Sequence, residues 1–233
     1  MRVTYTVIAK SIPEFSTKYG GLFTCTLGYC HEFNSLIRVY PIPVAGMSKW
    51  HTYSIEIERN KRDSREESWK LSSYAKYENW IGLDKDVIFI GKVDRKMGIQ
   101  KLLQTNQMFP SISICNQLKT SIGIIPISDY NLFWDVNNRF VNTNQLGLFE
   151  DVALADWASF TKETKEYEAR IQFNGDKCIH NLQYNDWGVT EWLRKFRGQY
   201  PINDAFRNLR NKNFCLIGNM LGHRNNWIAL DLY

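Results

Sequence analysis

The chain has 233 residues, 44% of them apolar and 23% charged, with a net charge of +5 and a pI near 8.9. That apolar content excludes a disordered chain and allows one large domain or two small ones with a sizeable core. The basic balance permits an anionic partner without requiring one. Eight Trp and an aromatic share of 14% give either a thick aromatic core or a surface on which bases or sugars stack.

Arg2 to Ala9 is β-branched and alternating, which reads as a strand, and Ser11 to Gly21 follows as a loop. Leu22 to Cys30 is a second strand, with Phe23, Cys25 and Leu27 on one face and Thr24, Thr26 and Gly28 on the other. Leu36 to Tyr40 is a third, stopped by Pro41 and Pro43, and Trp50 to Glu58 alternates as a fourth. Short turns between them predict an antiparallel meander or a small barrel. Arg59 to Lys70 is a run of mixed charge: a solvated loop or helix face, or a set of arginines for phosphate, with Asp63 and Glu67 able to hold Arg62 or Arg65 in place.

Val87 to Val93 reads as an interior strand, Met97 to Gln104 as a helix, and Ser111 as the cap of a short helix reaching about Lys119. Phe133-Trp134 could form a last strand of the first unit, and the polar stretch Asn142 to Gly147 marks a boundary. Tyr167 to Phe173, a turn at Asn174-Gly175 and Lys177 to Tyr184 form a hairpin. Asp186 caps a helix over Trp187 to Phe196, a second helix spans about Asn203 to Arg210, and Phe214 to Gly218 and Trp227 to Leu232 are strands.

Charge is polarised: Arg194 to Arg224 holds seven positive residues against Asp204 alone, while Glu150 to Glu168 is acidic. Five scattered cysteines read as reduced thiols. With no signal-type N-terminus and no long apolar run, a soluble cytoplasmic protein without membrane association is expected.

Two chemistries compete. His180, Asp186 and His223 could meet at one end of the C-terminal unit as an acid–base centre acting on a nucleobase or nucleotide, although Asp186 has a sufficient duty as a cap. Nucleic-acid binding uses more of the chain: Tyr40, Trp50 and Trp69 for stacking, with Arg59, Arg62, Arg65, Arg194, Arg197 and Arg207 on phosphates. No metal and no cofactor are expected, since Cys25 and Cys30 fall on opposite strand faces and no phosphate loop is present. A protein partner, as for an inhibitor or assembly factor, is the third reading.

Gly20-Gly21, LFTCTLG and LIRVYPIP together resemble the opening of bacterial and phage proteins carrying a dual OB-type domain. VIFIGKVDRK, SIGIIP, Asp186-Trp187 and FCLIGNMLGHRNNW are similar to the same uncharacterised set. The resemblance implies an OB-like first unit and a role in phage–host conflict (phage defence) that handles nucleic acid, and it carries no catalytic residues. Gly188 stands where that set has an acidic residue, which counts against an enzymatic Asp186.

The expected fold is therefore α+β and β-rich, with an OB-like antiparallel barrel in residues 1–145, an acidic linker or short helix in 146–165 and an α+β unit in 166–233. The expected function is binding of single-stranded or modified DNA or RNA.

Overall fold

In the computed structural model, which describes residues 1–16, 21–43, 46–72, 87–136 and 166–233, the N-terminal strands close on themselves. β1 (Arg2–Lys10), β3 (Gly21–Cys30), β4 (Ser35–Pro43), β6 (Ser68–Leu71) and β5 (His51–Arg59) pair in that order, and β5 returns to β1 to close a five-stranded barrel. Only β4 with β6 is parallel among these pairings. β2 (Glu14–Ser16) adds to β3, and β7 (Val87–Lys92) adds to β5.

Two-residue alternation decides what fills the barrel. Val3, Tyr5 and Val7 on β1 meet Ile37 and Val39 on β4 and Tyr53, Ile55 and Ile57 on β5 inside. Tyr5 is fully buried and its hydroxyl donates to Thr26 at 3.2 Å. A Cβ on Gly28 would stand 2.6 Å from the Tyr5 ring, so the small inner face of β3 is the space that this ring occupies.

The barrel also has an apolar outer patch, because a bulge between Val7 and Ala9 turns Ile8 and Ala9 outward beside Leu27 and Leu36. A second sheet covers this patch. It consists of β8 (Ile122–Pro126), β12 (Phe214–Met220) and β13 (His223–Leu232), with β12 in the middle, and it contributes Ile122, Ile124, Leu216 and Leu230. Its far face packs on a third sheet of β9 (Asn131–Val136), β10 (Tyr167–Gly175) and β11 (Cys178–Gln183), and on helical segments of which two are C-terminal. These are α3 (Trp187–Phe196), capped by Asp186, and the 3-10 helix Ile202–Leu209. The shorter helices α1 (Arg95–Leu102) and α2 (Ile112–Gln117) precede β8.

Several expectations are corrected. The expected division into 1–145, 146–165 and 166–233 is not among them: β8 and β9 hydrogen-bond with C-terminal strands, and residues 146–165 lie outside the described residues. β4 runs through Pro41 and Pro43, because the ladder resumes at Ile42 after a bulge opposite Thr24 to Thr26. The β10–β11 turn is Asp176-Lys177, both at positive φ, and not Asn174-Gly175. β7 is an edge strand exposing Ile88, Phe89 and Ile90, since it pairs with β5 alone among the described residues. No helix among the described residues is long and apolar enough to cross a membrane.

Because the Tyr5 ring and the Thr6 carbonyl leave Gly28 no room, Gly28→Ala is expected to destabilise the protein by about 1–3 kcal/mol. A urea midpoint that falls with unchanged slope is the expected reading.

Candidate functional site

The second sheet covers only part of the barrel's β3–β4 wall. Beyond Leu27, the outward residues Phe23 and Cys25 on β3 and Arg38 and Tyr40 on β4 face a cleft of about 1010 Å³. The alternation that sends Ile37 and Val39 inward sends Arg38 and Tyr40 here. Two barrel loops, at Ser11 to Glu14 and at Asn60 to Arg65, also line it, as do Gly218 to Leu221 at the end of β12 and its turn.

Among the described residues, six cationic side chains line the cleft against three carboxylates, an excess of positive charge. Some of the cations are engaged. Lys70 pairs with Glu58 at 2.6 Å, and Arg65 Nε donates to Asp63 at 2.8 Å while its Nη1 donates to the Asn219 carbonyl at 2.7 Å. Asp63 also accepts from Ser68 at 2.7 Å, and Glu67 accepts from Thr120 and Ser121. The loop from Asn60 to Glu67 is thus tied to the second sheet at two points. Burial alone would raise the Asp63 carboxyl, but the hydrogen bonds from Arg65 and Ser68 outweigh it and hold the pKa at about 2. Arg59 lies 4.2 Å over the Trp69 ring, Phe33 stacks on the same indole at 5.1 Å, and Lys61 and Arg62 are exposed.

Of the expected nucleic-acid contacts, Tyr40, Arg59, Arg62, Arg65 and Trp69 come together in this cleft. Trp50 does not. It packs against Gly98 of α1 and edge-on against Tyr233, plugging the seam between barrel and second sheet. Arg194, Arg197 and Arg207 lie on α3, at its end and on the 3-10 helix, each facing a carboxylate: Glu191, Glu166 and Asp204 respectively. Arg207 there borders a separate groove of about 400 Å³ with Trp192, Phe196 and Tyr200. From the basic C-terminal stretch, Arg224 reaches the cleft loop, donating to Ser64 at 3.3 Å.

The expected acid–base centre is not assembled. His180 Nε2 stands 3.5 Å from Asp176 and 3.7 Å from Cys178 Sγ on its own hairpin. His223 is exposed where the β12–β13 hairpin turns back. Asp186 accepts from Val189 N as a cap at 3.1 Å and from Lys49 Nζ at 2.8 Å. Lys49 also meets buried Asp231 at 2.6 Å, a partnership that sequence reasoning missed. Burial would lower the Lys49 pKa, but its two carboxylates raise it, whereas burial pushes the Asp231 carboxyl up.

Lys49→Met leaves two buried carboxylates without their shared cation and is expected to cost about 3–5 kcal/mol in urea denaturation. The Asp63 site gives a pH signature. A depressed carboxyl contributes stability that is complete above its ordinary value of 3.8 and is lost as pH falls through about 2. Acid unfolding should therefore remove about 2 kcal/mol in that window, and Asp63→Asn should lose less there in calorimetric scans.

The profile of a family described as "Domain of unknown function (DUF8758)" matches residues 1–87, which take in the barrel strands β1 to β6 and the cleft's barrel wall. No curated protein matches the chain.

Proposed function

We propose that this protein binds single-stranded nucleic acid, DNA or RNA, in the cleft on the β3–β4 wall of its barrel. The observation that carries the reading is where the cleft lies. The closed order β1-β3-β4-β6-β5, with β4 parallel to β6, has the connectivity of an OB-type barrel once the short β2 is set aside. OB-type barrels present oligonucleotides to their second and third strands and to the loops between strands one and two and strands four and five. Here those are β3, β4, the loop at Ser11 to Glu14 and the loop at Asn60 to Arg65, the same elements that line the cleft.

The side chains suit that ligand. Tyr40 offers a ring, and Arg59 laid over Trp69 offers a supported guanidinium plane on which a base can stack. Lys61 and Arg62 stand exposed at the rim for phosphates, and Arg65 holds the loop in shape through Asp63 and Asn219. Reading by stacking and charge gives little base preference. The phage–host setting belongs to this proposal only through the resemblance of sequence.

Fluorescence anisotropy with a labelled single-stranded oligonucleotide across a salt series tests the reading. Affinity should fall as salt rises, and Trp69→Ala should weaken it by about 1–3 kcal/mol, while Arg207→Ala at the separate groove leaves it unchanged. Absence of binding at low salt, or an affinity indifferent to salt, removes the proposal.

A further inference from the structure

One cation of the cleft is built unlike the others. Arg38 is only 6% exposed, yet it lines the cleft. Its Nη2 donates to the Ser121 carbonyl at 3.1 Å, whereas the buried Nη1 has no hydrogen-bond partner among the described residues. Buried guanidinium donors are ordinarily all met, because leaving a charged donor unsatisfied is expensive. The neighbouring carboxylates are engaged elsewhere: Asp63 with Arg65 and Ser68, and Glu67 with Thr120 and Ser121.

The fold also makes room for this group. Gly218 on β12 faces it, and a Cβ there would stand 3.2 Å from Arg38 Nη2 and 3.0 Å from Leu230. A side chain at 218 would press the guanidinium out of place. On the same strand face, two residues along, stands Tyr40, and the exposed Lys61 and Arg62 rim the space. A buried, half-satisfied guanidinium beside an aromatic ring and under a positive rim matches a phosphoryl group, whose several acceptor oxygens fit the guanidinium fork.

We propose that Arg38 anchors one phosphoryl group of the cleft's ligand, its Nη1 donating to a phosphate oxygen. The ligand is then held by one fixed phosphate, while the rim cations act as a diffuse field. This assignment rests on the nucleic-acid reading of the same cleft and supplies its specific contact.

The test is the guanidinium ¹⁵N–¹H signal of Arg38 in wild-type protein. It is titrated separately with inorganic phosphate and with a short single-stranded oligonucleotide lacking terminal phosphates. Both are expected to shift the signal, the oligonucleotide at the lower concentration. Arg38→Met should weaken oligonucleotide binding by about tenfold or more and reduce the salt slope by about one. A shift with inorganic phosphate alone keeps the anchor and removes the nucleic-acid reading. Oligonucleotide binding with the Arg38 signal unmoved by either ligand overturns the anchor and leaves that reading standing. Silence of the signal with no binding of either overturns both. Should Arg38→Met fail to fold, the wild-type spectra alone decide.

Discussion

A positive charge buried at the seam between the barrel and its covering sheet, the guanidinium of Arg38 on the Ser121 carbonyl, is the constraint on which the rest of this structure turns. The barrel leaves an apolar outer patch that must be covered, and the sheet of β8, β12 and β13 covers it. Apolar packing alone tolerates sliding and repacking. Buried charges do not, because each must meet a particular partner or lose its solvation without return. Arg38 with Ser121, Glu67 with Thr120 and Ser121, Arg65 with Asn219, and Lys49 between Asp186 and Asp231 therefore hold the sheet at one place on the barrel.

That placement creates the cleft. The outer residues Phe23, Cys25, Arg38 and Tyr40 of β3 and β4 line the cleft together with Gly218 to Leu221, and the same ties fix their spacing. The loop from Asn60 to Glu67 is held internally by Asp63 on Arg65 and to Ser121 by Glu67. A cleft whose walls are held before the ligand arrives loses less freedom on binding, which favours affinity for a flexible single strand.

Much of this was legible in the sequence. Period-two alternation put Phe23, Cys25 and Leu27 on one face of β3, which is the face that forms the cleft wall. The same logic flagged Asp63 as a partner for Arg65, and Asp186 as a cap, because both are interactions across a few residues. What failed was long-range. Lys49 is 137 residues from Asp186, so nothing local marks it as that residue's cation. His180 on a hairpin strand, Asp186 at a helix start and His223 at the last turn belong to elements that could have converged, but His180 lies by Asp176, Asp186 meets Lys49 and His223 is exposed. An apolar run such as VIFIGK does not reveal whether a second strand will cover it, and β7 stands at an edge. A charged residue within an apolar strand, Arg38 among Leu36, Ile37 and Val39, was the available signal for the buried anchor.

Hydrogen exchange with and without a single-stranded oligonucleotide addresses the cleft assignment most directly. Slowed exchange at residues 22–27, 58–70 and 218–221, with 187–209 unchanged, is the outcome the cleft requires. Binding that leaves those three segments unprotected, or that protects only the groove beside Arg207, would contradict it.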